Sequence, residues 1–287
     1  MIATDRVDLA ETRLSTRVLR SGSGTPVLLL HGSPDDADEW RRVMDLLGSD
    51  FACIAPDLPG LGASQEPPPS FDYSRTAIVA FLDELLASLE VDEPVVLVVH
   101  DIGGIFGIPW AAANLGRVRG VVITNTVVFE NFQWFGVGKL WSRTDLLGRF
   151  AAIASMAQIG WLRGRIFRAG FKRISPELPD EDLDRITREF ACDSKSKRST
   201  LRLFRKMVPA GYFAGMDGMV RRLIPEVPVR VIWGHGDPYI PAGYAEAFPG
   251  AELEVIEHGG HWIPISSADR VAGAVRSILA IRRPSPI

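Results

Sequence analysis

The feature that most constrains this chain is the recurrence of short, almost unbroken apolar runs at residues 27–30, 51–55, 95–99, 118–123, 229–233 and 253–256. Runs of this length without polar alternation are what strands covered on both faces require, because every side chain, up or down, enters an apolar layer. Between them lie stretches with helical spacing at 37–47, 73–89, 103–115, 242–248 and 267–281, joined to the runs by short polar, Gly- or Pro-containing segments. This alternation specifies the α/β class: a mostly parallel, twisted, doubly wound sheet flanked by helices, with all six runs as buried strands. Ligands of such sheets bind at the carboxyl ends of the strands. Residues 6–20 alternate apolar and polar before SGSGTP, which predicts an antiparallel strand or hairpin at a sheet edge.

One stretch breaks the alternation. From Thr126 to about Leu223 the spacing is helical, tryptophans recur and no buried run appears, which predicts a helical lid at 126–223 inserted into a core of 1–125 and 224–287. Its Arg163, Arg165, Arg168, Lys172 and Arg173 either mark an acidic substrate or are solvated helix faces, the second being the preferred reading. At 287 residues, 46% apolar and 23% charged, the chain suffices for one core with an insertion. A net charge of −3 gives no basic footprint for nucleic acid. No run of about 18 apolar residues exists to span a membrane, and the first residues are charged where a secretory peptide is apolar, so the expected compartment is the cytoplasm. Two cysteines, Cys53 and Cys192, allow no disulfide framework or four-ligand zinc site. No metal cluster, phosphate loop or dinucleotide fingerprint appears. The expected chemistry therefore uses no metal and no cofactor, only a small hydrophobic substrate and water, in a monomer or homodimer.

The run VVLVV ends in His100-Asp101-Ile102-Gly103-Gly104 and passes directly into an apolar helix, the strand–turn–helix setting of a nucleophile elbow with Asp in place of Ser. Alone, this segment reads equally as a capped helix. Other segments shift the balance. His31-Gly32-Ser33-Pro34 follows the first run, Trp233-Gly234-His235-Gly236-Asp237-Pro238 a later one, and His258-Gly259-Gly260-His261-Trp262 the last. Nucleophile, acid and histidine thus come in the chain order of a hydrolytic triad, with the N–H groups of Ser33 and Ile102 as oxyanion donors. His258 competes with His261, and Glu130 with Asp237.

At these residues the chain resembles the epoxide hydrolase and haloalkane dehalogenase branch of the α/β-hydrolase family. HGSP, DLPGLGAS at 57–64, HDIGG, WGHGDP and GGHW match it in spacing and order, and the lid matches in position and length. The resemblance implies Asp101 as nucleophile. It favours His261, which follows Gly-Gly and precedes an aromatic residue, and Asp237, because the family's other site for the acid is Asn125 here.

A carboxylate that attacked an ester carbonyl would form an anhydride, whereas attack on an sp³ carbon with a strained or good leaving group gives an alkyl-enzyme ester. Water activated by His261, oriented by Asp237, would then hydrolyse that ester. Dehalogenases of the family hold the halide with a Trp after the nucleophile and a nearby Asn or Trp, but Ile102 and Ser33 stand in two of those places. Haloacetate dehalogenases carry an arginine pair at the elbow, which HDIGGIFG lacks. Epoxide hydrolases of the family use two lid tyrosines, and only Tyr212 lies in the lid, with Phe204 where the second would align. Tyr239, beside Asp237, is a substitute donor. Trp134, Trp141 and Trp161 are indole candidates, His31 and His100 further pocket candidates, Trp262 a pocket wall and Trp40 core. Epoxide opening is the favoured reading. The alternatives are a haloalkane-type dehalogenase, or a non-hydrolytic cyclase or lyase, or a ligand-binding protein on the same fold.

Overall fold

The computed structural model describes residues 1–134, 136–156, 164–208 and 211–280. Its strands are β1 (Ala3–Leu9), β2 (Leu14–Ser21), β3 (Thr25–Leu30), β4 (Phe51–Pro56), β5 (Val95–Asp101), β6 (Val118–Thr126), β7 (Val229–Gly234) and β8 (Glu252–Ile256). They form one sheet in the order β1-β2-β4-β3-β5-β6-β7-β8. The β1–β2 hairpin is antiparallel and joins β4 antiparallel, and every pairing from β4 to β8 is parallel.

In chain order the helices are α1 (Arg41–Leu47), α2 (Arg75–Ser88) and α3 (Gly103–Ala113). Within the insertion come α4 (Gly136–Trp141), α5 (Leu146–Met156), α6 (Arg165–Ile174), α7 (Asp180–Ile186) and α8 (Ser194–Met207). The chain then forms α9 (Met216–Glu226), the short α10 (Ile263–Ser266) and α11 (Ala268–Ala280). The unbroken runs are explained by the two layers around the sheet. Leu28, Leu30, Leu97 and Val99 face α2, α3 and α9, while Val27, Leu29, Val96 and Val98 face α1 and α11. No described helix is long and apolar enough to cross a membrane.

Three details differ from the expectation. The run 253–256 forms β8 at the sheet edge, where Leu253 and Val255 are exposed rather than buried. Residues Ala242–Ala247 form a 3₁₀ turn, not an α-helix. The lid boundary expected after Leu223 falls inside α9, whose Val220 and Leu223 pack against Ile108 of α3 and Val121 and Ile123 of β6, so α9 is part of the core layer.

Candidate active site

Four loops at the carboxyl ends of the parallel strands converge. Asp101 is the last residue of β5 and has a left-handed backbone, φ 48°, which turns the chain sharply into α3. Close packing permits the turn only because of the following glycine: a Cβ on Gly103 would lie 2.1 Å from the carbonyl oxygen of Leu30 in the adjacent strand. The Thr126 hydroxyl, at the end of β6, donates to the Asp101 carbonyl oxygen at 2.6 Å and fixes the elbow from the other side.

The Ser33 N–H donates to Asp101 Oδ1 at 2.9 Å. The second expected donor, Ile102, caps α3 and lines the cavity beside the carboxylate. His261 Nε2 lies 3.9 Å from Asp101 Oδ2, beyond hydrogen-bond range. A serine needs its base in contact; a carboxylate is already ionised, so an imidazole set back from it keeps Oδ2 free and can meet a water instead.

His261 Nδ1 is 2.7 Å from Asp237 Oδ2, and both groups are buried. Asp237 Oδ1 accepts the N–H groups of Tyr239 at 2.7 Å and Ile240 at 2.9 Å. Burial works to raise the Asp237 carboxyl, but the charge and hydrogen bond of His261, the Asn125 amide and the Ile240 N–H hold it below the ordinary value. Asn125 was legible only as a place lacking the acid. It is instead the acid's anchor, donating through Nδ2 to Asp237 and accepting the Gly234 N–H at 3.0 Å through Oδ1. The competitors fall away: His258 is exposed, and the exposed Glu130 accepts the N–H of Gly215.

Asp101 and His261 open into a cavity of about 320 Å³ walled by Phe132, Trp134, Phe167, Phe171, Phe204 and Trp262. Tyr239 is its phenol. The Tyr239 ring sits 5.1 Å from that of His261, edge to face, and its hydroxyl lies against Ser175. Burial, opposed by Ser175, pushes that hydroxyl up to about 12, so it carries its proton at neutral pH. Among the described residues the lining holds no Lys or Arg. Arg168 pairs with Asp180 and Asp184, and Lys172 donates to backbone carbonyls, so neither marks an acidic substrate.

Three sequence candidates are corrected. The Tyr212 hydroxyl donates to the Tyr73 carbonyl oxygen at 2.9 Å and does not line the cavity, because it ties the turn before α9 to the loop before α2. His31 Nε2 accepts the Leu58 N–H at 2.9 Å, which leaves the ring proton on Nδ1 to donate to the Gly32 carbonyl at 2.7 Å, so His31 staples loops behind the site. His100 lies beneath Gly32, paired with Glu39, and does not reach the cavity. Of the indoles, Trp134 and Trp141 line the cavity, Trp262 walls it with its N–H given to Asp35 at 3.2 Å, and Trp161 lies outside the described residues, as does Arg163.

An eight-stranded, mostly parallel sheet with an elbow after its central strand and a histidine–carboxylate pair on later loops defines an α/β-hydrolase. The profile of the alpha/beta hydrolase family matches residues 27–274, and the chain belongs to that family. It is 28% identical over 281 residues to the cis-3-alkyl-4-alkyloxetan-2-one decarboxylase of Xanthomonas campestris pv. campestris, covering 89% of this chain and 88% of that one. Over 279 residues it is 25% identical to a haloalkane dehalogenase of Sphingobium indicum, covering 92% and 91%. The fold is similar to that of the epoxide hydrolase CorEH, with a TM-score of 0.73 at 20% identity over 98% of this chain and 99% of that one.

Proposed function

We propose that this protein is a hydrolase that opens an epoxide through an alkyl-enzyme ester on Asp101. The observation that carries the reading is the asymmetry of the Asp101 carboxylate: Oδ1 accepts the Ser33 N–H at 2.9 Å, while Oδ2 lies 3.9 Å from His261, unbonded to it, at the base of an apolar cavity. Oδ2 attacks a ring carbon, the C–O bond breaks, and the alkoxide takes the Tyr239 proton. His261 then removes a proton from water, whose oxygen adds to the Asp101 carboxyl carbon, and the oxyanion forms on Oδ1 beside the Ser33 N–H. Collapse expels the second alkoxide, which takes the proton from His261. The Asp101 carboxylic acid returns its proton to the Tyr239 phenolate, so epoxide and water become a diol.

A second reading is favoured by the similarity to the oxetan-2-one decarboxylase and by the described residues of the cavity wall, among which Tyr239 is the single phenol. Attack at the sp³ C–O carbon of a four-membered lactone releases a carboxylate, which needs no acid, and loss of CO₂ with departure of Asp101 leaves an alkene. No water is consumed in that case.

The two readings part on products and on what His261→Gln traps. Wild type and His261→Gln are incubated with aryl and alkyl epoxides, bromoalkanes and dialkyl oxetan-2-ones, and intact masses and products are recorded. Epoxide opening predicts a diol from wild type and, on the variant, an adduct of whole-epoxide mass mapped to Asp101. An alkene with CO₂ moves the assignment to the lactone, and an alkyl adduct without bromide moves it to the haloalkane. Binding of the panel with no adduct and no turnover refutes the alkyl-enzyme.

A further inference from the structure

Glu39 lies in none of the motifs around the site, and His100 does not reach the cavity, yet the two join three of its loops. They are 1% and 0% exposed. Glu39 Oε2 accepts the N–H of Gly32, the residue before the oxyanion donor, at 3.0 Å. The other Glu39 oxygen meets His100 Nδ1. His100 Nε2 lies 3.0 Å from the carbonyl oxygen of His261. A carbonyl only accepts, so Nε2 carries a proton and donates. The imidazole is wedged under the oxyanion loop: a Cβ on Gly32 would lie 3.1 Å from His100 Nδ1 and 2.8 Å from Asp101 Cβ.

We propose that Glu39 and His100 form a buried, ion-paired strut that positions the Ser33 N–H and His261 relative to Asp101, and that they serve the hydrolytic half of the reaction. The assignment rests on the alkyl-enzyme reading above. In alkylation the carboxylate loses charge and uses no base, so small displacements of the oxyanion loop or of His261 cost little. In hydrolysis charge develops on Oδ1 next to the Ser33 N–H and His261 takes a proton, and both groups hang from the strut.

The charges fit this geometry. Burial disfavours an imidazolium at His100, but Glu39 by charge and hydrogen bond, then Asp101 and Asp237, raise it to about 9. Burial likewise works to raise Glu39, and His100, with His31 and the Gly32 N–H, holds it low. Two further ionisable neighbours face the pair: the buried Asp35, whose carboxyl the Glu39 charge helps to push up, and His261, whose ring centroid is 4.7 Å from that of His100. A buried pair of this kind contributes little net stability, so its contribution is to geometry.

One arm of the test needs no substrate. ¹⁵N NMR of the full wild-type chain is expected to show both His100 nitrogens protonated at pH 7 and the ring titrating near 9; a neutral His100 at pH 7 overturns the pair. The second arm follows the Asp101 adduct with styrene oxide by quenched-flow mass spectrometry. Glu39→Gln, and His100→Gln as an independent variant, are expected to form the adduct within about threefold of the wild-type rate and to lose it roughly a hundredfold more slowly, the size of effect of one oxyanion donor. Glu39→Asp, which keeps the charge, should recover part of the loss. Equal slowing of both half-reactions, tracking a fall in Tm, makes the pair merely structural and overturns the assignment. Absence of any adduct in wild type and in His261→Gln refutes the alkyl-enzyme and the half-reaction assignment with it, while the NMR arm still decides the ionisation.

Discussion

At the scale of single residues, Tyr239 and Asp237 sit side by side in one loop but are expected to fail differently. An epoxide oxygen leaves as a strong base and needs an acid, whereas bromide does not. Tyr239→Phe should therefore slow adduct formation on epoxides by about 10²–10⁴-fold while leaving any reaction with bromoalkanes nearly unchanged. Loss of both in parallel would make the phenol a packing residue. Asp237 is read through stability. Its folded pKa is depressed, so it adds stability above its unfolded value of about 3.9, and that stability is lost as pH falls through the folded value. The gap in unfolding free energy between wild type and Asp237→Asn should be full at pH 7 and shrink below about pH 4. Urea melts at the two ends measure it, and a gap that stays constant or widens in acid contradicts the assignment of charge.

At the scale of elements, the β5–α3 elbow is the least forgiving. The Cβ of Gly103→Ala would meet the Leu30 backbone, which cannot rotate away as a side chain could. A loss of about 1–3 kcal/mol or more is expected with activity lost alongside, because Asp101 is set by the same turn; wild-type stability in the variant would mean that the elbow is looser than drawn. Elements of this kind are legible in the sequence because the strand runs and the loops that follow them are contiguous in it. What was not legible lies in pairings between distant segments. Asn125 reaches Asp237 across 112 positions, a relation no local pattern carries. Glu39 occupies what looks like the polar side of a helix at 37–47, but the first turn is 3₁₀ and folds it beneath the oxyanion loop. Tyr212 lies in the turn before α9, where no periodicity in the sequence says which way a phenol points. The run at 253–256 contains Glu254, the one polar interruption in it, and the edge strand it forms is exposed at Leu253, Glu254 and Val255 alike.

For the whole molecule, what distinguishes the two halves of the helical insertion between β6 and α9 is how each is held. Helices α7 and α8 are tied to the core by charge and by backbone carbonyls: Arg185 to Asp35 and Asp36, Lys195 to the carbonyl oxygens of Gly62 and Ser64, Arg202 to those of Pro67, Pro68 and Phe71. Helices α4 to α6 contribute Trp141, Phe167 and Phe171 to the cavity wall, to which α8 adds Phe204, leave Leu146, Leu147, Phe150 and Ile166 exposed, and are ion-paired to α7 through Arg168 with Asp180 and Asp184. Apolar contacts across a cavity are non-directional and incomplete until a ligand fills it, whereas the α7–α8 ties are directional and already made. Opening of the site should accordingly proceed by local excursions of α4–α6 over a fixed α7–α8 base. Hydrogen exchange followed by mass spectrometry is expected to show faster exchange in peptides from 136–156 and 165–174 than in those from 194–207, and to show the first group slowed selectively by an apolar ligand held in the cavity. Uniform exchange through the insertion, or slowing centred on 194–207, would mean that the insertion moves as one body hinged elsewhere, and the charged ties would then be surface pairs of the weak kind that exposed ions usually form.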